Sequence, residues 1–311
     1  MELFLSSVFQ CNGTCQETSI TPDERRTNDE SLKQTPAAYS FMFVREPYAR
    51  LFSAYENKLF LPNKHWIILG IDIIKTVRPR ASLVSRTLGH DVTFLELVKY
   101  VIYNYEHGIT LNSHLQPMHM YCNTCNFQYS FIGKLETMSS DLVDLIDYWK
   151  HNSIVPKNVS SAAEIEAHML YKRSFGPYKH MFMTLKKYGE ILSRYKLFQR
   201  TWSSYHIRGL ILKKFRMPFG ESEVNNVGYV MFGNEIKSAI DKSLPFKEDL
   251  KAQREEALVQ AYSTVPFELM TKLKEFMKLD CLLFDYETMP KIIFDKISSN
   301  NSFEFDYFKG L

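Results

Sequence analysis

Glycine is scarce in this 311-residue chain, at 12 positions, and neither a G-x-G-x-x-G run nor a G-x-x-x-x-G-K-[ST] run occurs. That absence removes the two commonest nucleotide-binding signatures, so a phosphate must be held by some other device. Long apolar runs are missing too. "WIILGIDII" at 66–74 is among the longest and is too short and interrupted to span a bilayer. The opening "MELFLSSVF" has neither a basic n-region nor a full apolar h-region, which makes it a poor signal peptide. No charge of one sign dominates. With a net charge of +3, the field of the whole chain argues neither for nor against nucleic acid, and any anion site must come from local clustering. There is no internal repeat and no low-complexity tract.

What is present is the composition of a folded protein, 45% hydrophobic and 23% charged, in a chain long enough for one large domain or two ordinary ones. Five cysteines include two close pairs, Cys11/Cys15 and Cys122/Cys125, and three Asn-x-Ser/Thr sequons occur at Asn12, Asn158 and Asn300. Both features suit an oxidising compartment. By spacing alone the four paired cysteines also fit a four-thiolate zinc site. The middle of the chain, 151–260, is rich in Lys, Tyr and Phe. This composition raises single-stranded nucleic acid as a partner. Its aromatics recur at helical spacing beside Leu and Met, so core packing accounts for them better.

Residues 10–36 are polar, and 1–36 as a whole reads as an irregular N-terminal arm or remnant helix. From Tyr39 the pattern tightens: "FMFV" at 41–44 is a short buried strand, and Pro47 opens a helix. Residues 61–90, with Pro62 and Pro79, read as a loop holding a short helix. "TFLELVKYVIYN" is an amphipathic helix whose Thr93 and Glu96 form a capping box. "FQYSFIGKLE" at 127–136 is a second strand, and the helix behind it turns Leu142, Leu145, Ile146 and Trp149 inward. Residues 151–260 are helical in pattern with breaks at Gly176–Pro177 and around Pro218–Gly220, and 265–287 is a terminal helix entering an apolar segment. Alternating strands and helices imply an α/β sheet covered on both faces.

The first strand delivers Arg45 to its carboxyl end, where open α/β sheets place ligands. Helical numbering from Pro47 then sets Arg50, Ser53 and Asn57 on one face. The helix start is expected to add free N–H donors and partial positive charge. An arginine fork fits a phosphate bidentately, and a serine hydroxyl supplies a further donor. The unit is therefore a candidate receiver for a dianionic phosphate.

Those residues carry a resemblance. "VREPYARLFSAYENK" resembles the motif that binds the 3′-phosphate of the sulfate donor in Golgi carbohydrate sulfotransferases: Arg-Asp/Glu-Pro, an Arg three residues after the Pro, then Ser-Ala and a Lys. The whole is similar to the branch that includes chondroitin 4-O-sulfotransferases and their glucuronyl and N-acetylgalactosamine relatives. That branch has a His-containing loop, a Cys-x-x-Cys and a Gly-Lys-x-Glu-Thr strand end, here "HLQPMHMYCNTC" and "FIGKLET" in the same order. Its ending is echoed by "LDCLLFDY", with Cys281 in place of the usual Phe. The match runs over about 37–150 and again over about 255–287.

The resemblance implies a P-loop-NTPase-like sulfotransferase fold, a parallel sheet flanked by helices. The sulfotransferase domain would span 37–287, with a helical insertion at about 155–250 and a C-terminal tail at 288–311. It implies a Golgi-lumenal O-sulfotransferase that carries sulfate from 3′-phosphoadenosine 5′-phosphosulfate to a glycan or proteoglycan hydroxyl, of chondroitin/dermatan or N-glycan type, without a metal or nucleic acid. Arg45 and Ser53 would hold the 3′-phosphate, with Arg50 and Lys58 in support. His114 matches the family's loop histidine and is the candidate base, with His119 a second candidate in the same loop. Lys134 and Glu136 would bind or orient the acceptor, and Glu136 is an alternative base. Cys122 and Cys125 would pair as a disulfide, and Asn12, Asn158 and Asn300 would carry glycans.

Two departures from the family pattern stand beside this. The family stabilises the leaving 5′-phosphate with a lysine-bearing loop after its first strand, whereas the first lysine here is Lys33 and nothing before it reads as strand and anion-cradling turn. The signal anchor of these type II Golgi proteins is not seen either, and membrane contact is expected only through such an anchor. The expectation is an N-terminally shortened chain, starting just past the 5′-phosphosulfate loop. A catalytically weak or inactive homologue that binds only nucleotide or glycan is the second reading.

Overall fold

A computed structural model describes residues 39–124, 127, 129–156, 158–297 and 303–311. The chain order is β1 (Phe41–Val44), α1 (Pro47–Tyr55), α2 (Ile71–Val77), α3 (Leu83–Leu88), α4 (Phe94–Glu106), α5 (Met118–Tyr121) and β2 (Phe131–Lys134), then α6 (Met138–His151), α7 (Ala162–Tyr188), α8 (Arg194–Ile207), α9 (Tyr229–Ser243), α10 (Lys247–Ser263), α11 (Phe267–Leu283) and α12 (Lys291–Ile297). The chain divides into two compact units. Of the described residues, one takes 39–48, Leu111–Ala167 and Glu275–Thr288, and the other takes Ala49–Thr110, His168–Lys274 and Met289–Leu311. The expected arm at 1–36, with Cys11, Asn12 and Cys15, lies outside the described residues.

The first unit is built on a parallel pair, β1 with β2, registered Phe41 to Phe131 and Val44 to Lys134. Successive side chains of a strand point to opposite faces. Met42 and Val44 accordingly pack with Met118, Cys122 and Phe284. Phe43, with Phe41 and Phe131, meets Leu142, Leu145, Ile146 and Trp149 of α6. The sheet, two-stranded among the described residues, is thus covered on both faces, as its near-continuous apolar strand requires. Gly133 sits opposite Phe43, and a Cβ there would lie 2.4 Å from that ring. Asp141 of α6 accepts from the Lys134 N–H at 2.7 Å and from the Thr137 hydroxyl at 3.0 Å, tying the helix start to the strand end.

The second unit is helical around a core that joins Trp66 and Leu88 to Met181, Phe198, Trp202, Tyr205, Phe232 and Ile236. The stretch 61–90 is more helical than its prolines suggest. A wide turn at Trp66–Gly70 runs into α2, and α3 follows, because Trp66, Leu69, Ile73 and Ile74 form one buried stripe while Pro62 and Pro79 fall in the connections. The break expected at Gly176–Pro177 does not end α7, which continues through a buried Pro177. Arg200, 2% exposed, donates to the carbonyls of Leu59 and Phe60 at 2.9 Å and of His90 at 2.6 Å. It satisfies carbonyls that the wide turn at Glu56–Phe60 leaves without helical partners. Its guanidinium also lies over the rings of Trp66 and Phe60.

The capping box of α4 is formed as expected, with the Glu96 N–H on Thr93 Oγ1 and the Thr93 N–H on the Glu96 carboxylate. Residues expected as a tail pack in this unit: Phe305 and Tyr307 are buried, and the Tyr307 hydroxyl donates to Glu256 at 2.8 Å. No helix among the described residues is long and apolar enough to cross a membrane.

Candidate functional site

The carboxyl ends of β1 and β2 lie side by side, since Val44 is registered with Lys134. The segments leaving the two strands therefore share one edge of the sheet. The Glu46 N–H donates to Glu136 Oε1 at 3.0 Å, and the Glu46 carboxylate accepts from the Tyr48 N–H at 3.1 Å. Pro47 has no N–H to offer. The free donors expected at this helix start are thus already taken, at Glu46 and Tyr48, by two carboxylates drawn to the positive end of the helix.

Glu136 has a second partner. Its Oε2 accepts from the Tyr286 hydroxyl at 2.8 Å. Lys134 lies over the Tyr286 ring at 4.5 Å and donates to the Asp285 carbonyl at 3.1 Å. The Tyr286 phenol is pushed up by burial and by its bond to Glu136, and the nearby Arg45 charge pulls it the other way. Arg45, Lys134, Glu46, Glu136 and Tyr286 therefore form one group of mixed charge around a half-buried phenol, all within the first unit. Tyr286 is not a residue that the sequence marks for the site. The available signal is its place at the end of "LLFDY", beyond the terminal helix.

The two histidines of the 111–124 segment are used differently. His114 is exposed and its backbone N–H donates to Asn112 Oδ1 at 3.1 Å. His119 is buried, with Nδ1 2.6 Å from Asp280. The same carboxylate accepts the N–H groups of Met118 and His119, at 2.6 and 2.8 Å. Asp280 thus caps the start of α5 and fixes the His119 ring, which is a structural arrangement. Cys122 is buried against Met42 and Val44, while Cys125 lies outside the described residues, so their pairing is not described. Asn158 is exposed, and Asn300 lies outside the described residues.

Arg50, Ser53 and Lys58 belong to the second unit. Arg50 and Ser53 are partly buried on α1. Lys58 is partly buried in the wide turn, 3.4 Å from His65 Nε2. Burial, then the charges of Lys64 and Arg208, hold its ammonium below the ordinary lysine value. Among the described residues there is no group of three or more His, Cys, Asp or Glu placed to hold a metal.

The family described as "Sulfotransferase family" matches residues 10–216. Carbohydrate sulfotransferase 14 of Danio rerio is 38% identical over 103 residues, covering 33% of this chain and 28% of that relative. Carbohydrate sulfotransferase 11 of Rattus norvegicus is 36% identical over 107 residues, 32% of this chain and 30% of that relative. Carbohydrate sulfotransferase 8 of Homo sapiens is 26% identical over 181 residues, 58% of this chain and 40% of that relative. The matched part thus spans well under half of the length of each of these relatives. No solved structure matches the chain.

Proposed function

This chain belongs to the sulfotransferase family, and from that premise we propose that it is a carbohydrate O-sulfotransferase using 3′-phosphoadenosine 5′-phosphosulfate as donor. The similarity to carbohydrate sulfotransferases supports a glycan hydroxyl as acceptor. The observation that carries the proposal is the β1–α1 joint, with Arg45 leaving the strand and Ser53 on the helix after it. A planar guanidinium and a hydroxyl are donors that fit a phosphate. With the Glu46 and Tyr48 amides already engaged, we assign the 3′-phosphate to these side chains rather than to those backbone N–H groups.

Bound, the donor supplies an activated sulfuryl group. The acceptor oxygen attacks sulfur, the bond to the 5′-phosphate breaks, and the acceptor proton must leave. We assign proton removal to the exposed imidazole of His114, the side-chain type most often used as a general base. Glu136 is assigned a positioning role, because both its oxygens already hold other groups: the amide that opens α1 and the Tyr286 hydroxyl. Lys134 supplies positive charge at the same edge. Arg50 and Lys58 support the donor side.

The same premise extends to a Golgi-lumenal location, glycans on Asn12, Asn158 and Asn300, a Cys122–Cys125 disulfide, and a sulfotransferase domain over 37–287 whose 155–250 region is an insertion. Transfer of radiolabelled sulfate from the donor to a panel of glycans tests the activity. Incorporation that falls by about 10²–10⁴ in His114→Ala, the range for loss of an acid–base group, is the expected result. Absence of transfer to every glycan by the full-length protein would contradict it.

A further inference from the structure

One segment, 280–288, at and beyond the end of α11, bonds to both chemistry-bearing parts of the first unit. At its start is Asp280, 2% exposed and on the last turn of the helix. Its two oxygens accept the N–H groups of Met118 and His119, and one of them also meets the His119 ring. The span from His114 to Met118 has little slack. The His114 N–H donates to Asn112 Oδ1, the Leu115 and Gln116 N–H groups donate to the Asn112 carbonyl, and Leu115 is buried. Fixing Met118 therefore fixes where the His114 segment ends.

Farther along the segment is Tyr286. The helix closes with the Tyr286 N–H on the Cys281 carbonyl at 2.8 Å and with Asp285 in the left-handed region, at a φ of 55°, where glycine is usual. That turn brings the Tyr286 hydroxyl to Glu136 Oε2 and the Asp285 carbonyl to Lys134. Glu136 in turn holds the Glu46 N–H, one residue past Arg45. Two residues beyond Tyr286, the Thr288 carbonyl accepts from the hydroxyl of the fully buried Tyr48 at 2.7 Å. The 46–48 turn is thus gripped twice by one segment, through Glu136 and through Tyr48. Packing alone would be served by Phe284, which seats on Met42 and Val44. The polar bonds of Asp280 and Tyr286 do something else, since each ends close in sequence to a residue with a part in transfer.

We propose that Asp280 and Tyr286 are positioning residues for sulfate transfer. Asp280 sets the His114 segment on the acceptor side, and Tyr286, through Glu136, sets the Arg45 turn on the donor side. These roles rest on the reading of this chain as a sulfotransferase with Arg45 and His114 in its site. Both grips belong to one helix end, so the two sides keep a fixed spacing, as an in-line transfer between two bound partners requires. Each grip uses a carboxylate as acceptor, and such charge-assisted bonds are stronger than neutral ones.

The test titrates the full-length protein with adenosine 3′,5′-bisphosphate and assays transfer of radiolabelled sulfate, with kcat and KM taken separately. Tyr286→Phe keeps the ring and removes the hydroxyl. It should weaken bisphosphate binding about tenfold and raise the donor KM with little change in kcat. In a Glu136→Ala background the same change should add nothing further. Asp280→Asn keeps the shape and removes the charge. It should lower kcat about ten- to a hundredfold at unchanged bisphosphate affinity, and add nothing in a His114→Ala background. Leu282→Ala, on the same segment and 64% exposed, should change neither readout. Unchanged bisphosphate binding in Tyr286→Phe overturns the proposal whatever Asp280→Asn does. Equal losses of affinity and kcat in both variants, or effects that persist in the Glu136→Ala and His114→Ala backgrounds, mark a general loosening and also overturn it. A wild-type protein that binds no bisphosphate and transfers no sulfate would sink the transferase reading itself. A wild type that does both, beside an unchanged Tyr286→Phe, would sink the positioning roles alone.

Discussion

Arg200 and Gly133 show how single residues hold the two units. Arg200 is a buried cation whose stabilisation comes from three carbonyls and two aromatic faces rather than from a carboxylate partner. Burial draws its guanidinium down to about 10, so it stays charged at neutral pH. Arg200→Ala would leave the carbonyls of Phe60 and His90 without this donor, at about 1–3 kcal/mol for each group left unsatisfied, while the Leu59 carbonyl keeps the Trp66 indole N–H. A fall in the urea midpoint of that order is expected, and Arg200→Lys should not restore it, because an ammonium cannot reproduce the planar fork. In the first unit, Gly133→Ala would push a methyl into the Phe43 ring and is expected to cost about 1–3 kcal/mol. Phe43→Leu should relieve part of that cost, and a double-mutant cycle in urea denaturation measures the coupling.

At the scale of elements, local signals were legible and distant ones were not. The α4 start could be read because a capping box is a four-residue device. Thr93→Ala is expected to lower stability by about 1 kcal/mol, seen as a lower thermal midpoint. The inward stripe of α6 and the alternating faces of β1 were readable for the same reason, since each is a short-period pattern. The helices within 61–90 were hidden because two prolines and clustered charge outweighed a stripe whose burial depends on partners elsewhere in the chain: α4 for α2, and the α8 and α9 core for Trp66 and Leu88. α7 runs through Gly176–Pro177 because core contacts override propensity. The candidate site divided along the same line. Arg45 and Ser53 sit in one contiguous motif. The Glu136–Tyr286 bond joins residues 150 apart in sequence, and nothing local announces it. The occupation of the α1 amides by Glu46 and Glu136 was likewise invisible without the register of β1 on β2.

At the scale of the whole molecule, pH and ligand affinity report on the fold and the site respectively. His206 is buried, and desolvation pulls its imidazole from 6.5 to about 4. Between those values the unfolded chain binds more protons than the folded one, so stability is lost as pH falls through that window. Asp91 and Glu96 act in the same direction further down. Burial alone would raise them, but bonds from Ser85 and Arg78 to Asp91, and from Arg78 and Thr93 to Glu96, hold both below their ordinary values. Urea midpoints should therefore drop steadily from neutral pH toward pH 4. His206→Gln should flatten the upper part of that slope while keeping a donor toward the Phe215 carbonyl.

The central claim is that the β1–α1 joint holds the 3′-phosphate of a sulfate donor through Arg45 and Ser53. Isothermal titration with adenosine 3′,5′-bisphosphate tests it most directly. The prediction is saturable binding to the wild-type protein that is lost in Arg45→Ala and Ser53→Ala while both variants stay folded by circular dichroism. No binding to the wild type, or binding unchanged in both variants, would contradict it.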